Sequence, residues 1–205
     1  MMSRLASAIL GLSVLLVLVG VSTRPDAAPA AEGANNADTF TIDGVHSNVI
    51  FKIEHLGVSS FFGRFNDVSG SFLLDRENPD QSRVEIVVKS KSVDTNASRR
   101  DRHLKSPDFF NADEFPTITF TSTSVTPGEG DTFKVDGKFT LLGTTRPLSV
   151  TLNWIGEGDR GAQFGYRGGF DTTFTIKRSD FGMDWHPELL GDDVTLFVGI
   201  EGQRR

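Results

Sequence analysis

The chain of 205 residues contains no cysteine. Disulfide staples, thiolate nucleophiles and zinc–thiolate centres are thereby excluded. The absence names no compartment, because an exported protein can do without disulfides. Tyrosine occurs once and tryptophan twice, against 17 phenylalanines. The aromatic content is almost entirely apolar, which suits large hydrophobic faces with few polar handles. Basic residues are the minority, 21 against 27 acidic, and the formal net charge is −6. A surface of that sign repels phosphate backbones, so nucleic acid is not an expected partner. Two catalytic signatures are missing as well. The histidines, His46, His55, His103 and His186, show no helical i, i+4 pair of the kind that holds zinc. No serine sits in a GxSxG elbow between strand and helix.

A long hydrophobic run occurs only at the N-terminus. Arg4 precedes 17 residues, Leu5 to Val21, broken only by small Ser and Gly. An Ala- and Pro-rich stretch follows, and Ala28-Pro29-Ala30 places small residues where a signal peptidase reads. The expectation is a cleaved secretory signal over residues 1–30, a loose leader over 31–37, and one domain over 38–205. The competing reading is an uncleaved membrane anchor, since 17 residues lie at the short limit for a span.

From residue 39 onward the pattern is two-fold alternation. Val49, Phe51 and Ile53 share one face; so do Phe72 and Leu74, then Val84, Ile86 and Val88. The alternation resumes at Ile118 and Phe120. It continues through Phe133, Val135, Phe139 and Leu141, then Leu148, Val150, Leu152 and Trp154, then Phe170, Phe174 and Ile176, and ends with Val194 to Ile200. Asn78-Pro79-Asp80 and Pro127-Gly128 mark turns between the runs. Phe65 is out of phase with its neighbours, which predicts a bulge near Asn66-Asp67. Leu56 to Phe62 reads as an apolar bend, a helical turn or a wide bulge. About eight strands joined by short links predict an antiparallel barrel or sandwich.

One stretch interrupts this regularity. Ser98 is placed to cap a short helix, with Asp101 three residues on. Ser106-Pro107 can begin a second turn, Phe109, Phe110 and Phe115 supply an aromatic wedge, and Pro116 returns the chain to strand. Such an insert predicts a cover over one end of a barrel.

The inward face is almost wholly apolar. It admits two readings: a tube for one chain-like apolar molecule, or a solid core of the same side chains. Gly70, Gly137 and Gly168 fall in phase with the inward residues and are expected to remove volume from the lumen. Arg99, Arg100, Arg102, His103 and Lys105 gather on the helical insert. They are either a solvated face or a polar rim for a lipid head group, to which a guanidinium is suited.

The ordered landmarks TIDGVHSNVIFKIEHLGVSSFFGRF, SVDT (Ser92 to Thr95), RDRHLKSPDFF (Arg100 to Phe110), FPTITFTST, GKFTLLGTTRPLSV and IKRSDFGMDW resemble the YceI-like family of periplasmic lipid-binding proteins. The resemblance implies an all-β fold: an antiparallel, eight-stranded, lipocalin-like barrel with an apolar pore and a short helical insert over one end. It implies binding of a polyisoprenoid or similar long amphiphilic lipid and offers no catalytic residues to carry over; the expectation is a non-enzymatic carrier, periplasmic or secreted, with no metal, given the histidine spacing, and no cofactor besides the bound lipid. Membrane contact is expected only for lipid exchange, and a homodimer is compatible with this picture. The expected pore lining is Phe51, Ile53, Phe72, Ile86, Phe120, Phe133, Val135, Phe139, Leu152, Phe170, Phe174 and Val198. The expected head-group contacts are Arg64, Arg100, His103 and Arg178. The rivals are a hydrolase or quinone-linked enzyme using His46 or His103, and a solid-core interaction module.

Overall fold

The computed structural model describes residues 39–204. The expected signal and leader lie outside the described residues. Within them the strands are β1 (Phe40–Ile42), β2 (Asn48–His55), β3 (Ser59–Phe65), β4 (Val68–Leu73), β5 (Arg83–Lys89) and β6 (Val93–Asp94). The single α-helix among the described residues, α1 (Ser98–Leu104), comes next. Then follow β7 (Thr117–Pro127), β8 (Thr132–Leu141), β9 (Thr144–Asp159), β10 (Tyr166–Lys177) and β11 (Leu190–Arg204).

Every pairing is antiparallel. Hydrogen bonds run β1-β4-β5-β7-β8-β9-β10-β11, and β1 pairs back onto β11, which closes the sheet. β2, β3 and β6 extend the wall beside the other half of β11. Three pairs of strands lie end to end. β1 and β2 both run along β11, with Ile42 opposite Gly202 and Asn48 opposite Gly199. β3 and β4 are separated only at Asn66-Asp67, where the phase change predicted a bulge. β5 and β6 are separated by a 3-10 turn over Ser90–Ser92. Joined in this way, the strands make the expected eight-stranded antiparallel barrel. The β1–β11 pairing removes the free edges from that half of the barrel.

The wall is incomplete where the helical insert lies. β5 pairs with β7 as far as Lys89 opposite Thr117, whereas β6 pairs with β3 alone. α1 and the turns after it occupy the chain between β6 and β7. The cap differs in detail from expectation. Ala97 holds the cap position, not Ser98, and Asp101 N donates to Ala97 O at 2.9 Å. The Asp101 carboxylate reaches back past Ser98 and accepts the Thr95 N–H at 2.9 Å. Ser106-Pro107 starts a run of turns rather than a helix.

Two further expectations are corrected. The bend over 56–62 is a hairpin: the turn ends at Val58 and β3 already begins at Ser59. The apolar content hid the strand, because Phe61 faces inward while Phe62 faces solvent. The last strand starts at Leu190 and runs to Arg204, longer than the apolar run at its centre.

The two halves of the lumen are filled differently. At the β1 and β4 end it is solid. Phe40 and Phe72 stack at 4.9 Å, and Phe72 meets Phe170 edge-on at 5.0 Å. Gly168 and Gly202 make this possible. A Cβ on Gly168 would lie 2.8 Å from the Phe40 ring, and one on Gly202 would lie 2.7 Å from that of Phe72. Gly137 likewise lies under the ring of Phe120. These in-phase glycines give their space to aromatic rings, not to a lumen. Gly70 instead brings the β4 backbone close to Glu85 O on β5.

Candidate functional site

The other half of the barrel encloses a cavity of about 350 Å³. Its walls come from β2, β3, β5 and β7 to β11, and alternation places Phe51, Ile53, Ile86, Phe120, Phe139, Leu152, Phe170, Phe174 and Val198 on them. These nine match the expected lining. Phe72, Phe133 and Val135 do not line it, although they share the inward phase. They are 0 %, 2 % and 0 % exposed and lie in the solid half. Phe133 is covered by the Arg76 guanidinium, 4.5 Å from its ring centre. Val135 stands between Val125 and Val150 on the flanking strands. A charge at Val135 would therefore strike packed core, not the tube.

The mouth is identified by residues that both line the cavity and reach solvent: His55, Ser59, Arg100 and His103. Arg100 comes from α1. Its Nε donates to Thr95 Oγ1 at 2.8 Å and its Nη2 to Thr95 O at 2.7 Å. The same guanidinium lies over the Phe61 ring, 4.2 Å from its centre, a contact that holds a cation at the rim of an apolar wall. His103 is paired with Asp108, Nε2 to Oδ2 at 2.7 Å. Its ring packs edge-on against Phe109 and Trp185, at 5.1 and 4.9 Å between centres. This cluster ties the insert to the loop before β11. The helix thus covers one mouth, as the break in alternation suggested.

Arg178 and Arg64 depart from the head-group expectation in different ways. Arg178 touches the cavity but is 2 % exposed, and its donors are committed. Nε donates to Gly191 O, Nη1 to Met183 O and Trp185 O, and Nη2 to Leu190 O, at 2.9–3.2 Å. It fixes the loop before β11 from inside. Arg64 lies outside the cavity, because Gly63 and Phe65 on either side of it face inward. Its Nη2 donates to Asn48 Oδ1 at 3.4 Å. The lining also includes Phe61, Leu104, Phe110 and Trp185, which were not among the expected residues. Reading Ser59 to Phe65 as strand would have found Phe61; nothing in the irregular run around Trp185 signals its position.

Chemistry beyond binding finds little support in the side-chain geometry. Among the described residues, no histidine hydrogen-bonds a serine or threonine hydroxyl. His46 Nδ1 bonds Asp43 Oδ2 at 2.9 Å on the outer wall, away from the cavity. Asp43, His46 and Glu201 bring three potential metal-ligand atoms together. The Arg167 guanidinium already occupies that point, 2.6 Å from Asp43 and 3.2 Å from Glu201. A cation already placed there meets the need that a metal would meet. The arrangement holds the Asp43 carboxyl well below the usual carboxylate range, chiefly through His46 and then Arg167. It raises His46 in turn.

A family model, YceI-like domain, matches residues 40–202. The chain belongs to this family. A UPF0312 protein of Pseudomonas aeruginosa (strain LESB58) is 41 % identical over 175 residues, covering 84 % of this chain and 91 % of the relative. A UPF0312 protein of Pectobacterium atrosepticum is 38 % identical over 191 residues, covering 93 % and 97 %. Among solved structures, BcnA of Burkholderia cenocepacia superposes with a TM-score of 0.71 at 22 % identity, over 78 % of this chain and 98 % of that one. A polyisoprenoid binding domain from Saccharophagus degradans gives 0.65 at 15 % identity, over 82 % and 99 %. At these identities both likenesses concern the fold alone.

Proposed function

We propose that this YceI-like protein is an exported, non-enzymatic carrier of a polyisoprenoid or a similar long amphiphilic lipid. The tail lies in the cavity, and the polar head sits among His55, Ser59, Arg100 and His103. The observation that carries this reading is the hollow half-barrel, with a predominantly apolar wall and the solvent-exposed polar groups gathered at one mouth. Each methylene moved from water to such a wall contributes about 0.8 kcal/mol, so roughly 20 carbons contribute about 16 kcal/mol. Association and tail ordering cost about 4–15 kcal/mol, which leaves a net gain. The polyisoprenoid binding domain on the same fold lends support. Among the described residues no helix is long and apolar enough to cross a membrane. Export rests on the N-terminal run of the sequence.

The mouth also bears an apolar lip. Leu56 and Val58 at the β2–β3 turn are 51 % and 81 % exposed, and Leu189 beside them is 37 % exposed. Leu56 N donates to Leu189 O at 2.7 Å, which holds the two segments together. His55 and Leu190, their chain neighbours, line the cavity. A tail can pass from a bilayer over this lip with little exposure to water.

Native mass spectrometry of the purified protein tests the carrier reading. A co-purifying apolar molecule is expected. It is expected to be lost in Leu148→Glu, which puts a charge on a half-buried wall position. A folded Leu148→Glu protein with undiminished lipid content would refute this lining.

A further inference from the structure

We infer that the aromatic layer beneath the cavity is a fixed stop that sets the longest tail the protein accepts. The inference rests on the carrier reading and adds a length limit to it. At its inner end the cavity reaches Val84, Leu152, Phe170 and Val198 and goes no deeper. Three of these residues have a non-lining neighbour in the packed half. Phe72 stands opposite Val84 across β4 and β5, and Phe133 stands opposite Leu152 across β8 and β9. Behind Phe170 is the ring of Phe72, edge-on at 5.0 Å, and behind that is Phe40, stacked at 4.9 Å with planes 9° apart. Trp154 closes the side, 6.1 Å from Phe72. The Arg204 guanidinium caps the outer end, 3.8 Å from the Tyr166 ring. The stop is therefore two rings deep and shut behind.

Its position is set by backbone, not by side chains that can swing aside. The rings of Phe40 and Phe72 rest on Gly168 and Gly202, closer than any side chain there would allow. Interlocked rings at crystal-like density have no empty rotamer to move into. A tail entering at the mouth thus meets a rigid end wall. Length beyond it must remain in water or fold back, and its methylenes then lose the gain from burial.

The test measures binding of a ladder of linear prenols, from geraniol through farnesol and geranylgeraniol to longer homologues. The proteins are wild type, Phe72→Leu, Phe72→Ala and Val84→Phe. Wild type is expected to gain affinity with length up to one member and then level off. Shortening Phe72 frees the space behind the Phe170 ring, which can then swing back and lengthen the tube, so the plateau moves to a longer prenol, with a gain of about tenfold or more for the first homologue that wild type excludes. Val84→Phe raises the floor and moves the plateau to a shorter prenol. Where Phe72→Ala fails to fold, Phe72→Leu and Val84→Phe carry the test. Folded variants with an unchanged plateau, or weakened equally for every length, would overturn the stop while leaving the carrier reading intact. A wild-type protein that binds no prenol of any length would overturn the carrier reading itself.

Discussion

Replacing Arg178 separates a structural guanidinium from one that binds a head group. The perturbation is Arg178→Met, which keeps most of the volume and removes the donors. Four carbonyls lose charge-assisted hydrogen bonds: those of Met183, Trp185, Leu190 and Gly191. Each such bond contributes about 1.5–3 kcal/mol. Against this loss, the variant no longer buries a cation that is 2 % exposed and has no carboxylate in ion-pair contact among the described residues, a relief of several kcal/mol. Because four buried carbonyls are left without their donors, the net effect is a destabilisation of a few kcal/mol. For a domain of this size that lowers Tm by roughly 2–4 °C per kcal/mol. Urea unfolding followed by tryptophan fluorescence reads the change as a lower midpoint at similar slope. Arg178→Lys is expected to recover only part of it, because one ammonium cannot span carbonyls that a planar fork reaches from several sides. A midpoint shift worth less than about 1 kcal/mol, together with lost lipid retention, would show that Arg178 serves the ligand and that the structural reasoning is wrong.

The Asp43–His46 pair on the outer wall gives a pH signature. His46 is raised by its hydrogen bond to Asp43, so its contribution is complete below its unfolded value of about 6.5 and disappears as pH rises through the folded value. Asp43 is depressed, so its contribution is present above about 4 and is lost as pH falls toward the folded value. Both act between those limits. His46→Gln should lower Tm near pH 5 and leave it unchanged near pH 9; an equal loss at both would exclude the linkage. The lip yields a kinetic prediction. Val58→Asp and Leu189→Asp, both at exposed positions, should slow uptake of a prenol from phosphatidylcholine vesicles several-fold. Stability should stay within about 0.5 kcal/mol, as for other surface changes. Uptake at the wild-type rate would remove the lip from the loading path.

Much of this protein is legible in its residues read singly and in phase. Two-fold alternation from Val49 to Ile200 points to an antiparallel sheet with one apolar face, and about eight such runs with short links leave a barrel or a sandwich open, which the family landmarks narrow to a barrel. The phase slip at Phe65 located the break between β3 and β4. The charged and aromatic run after Ser98 located the cover at the mouth, and the landmark order located the family. Alternation failed in β3, where the adjacent Phe61 and Phe62 on opposite faces erased the period.

What alternation cannot say is what an inward side chain meets. Phe72 and Phe120 have the same phase and the same chemistry, yet one is packed behind the floor and the other lines the cavity. The difference comes from partners distant in sequence: Gly202 and Phe40 hold the Phe72 ring in the solid half. Arg178 shows the same limit for charge. Its sequence context permits a head-group ligand, and only the fold of the 183–191 loop around its guanidinium directs those donors to carbonyls. Local pattern decides which face a residue takes, because backbone geometry has a period of two. Whether that face is space or matter depends on close packing across the barrel, which no local period encodes.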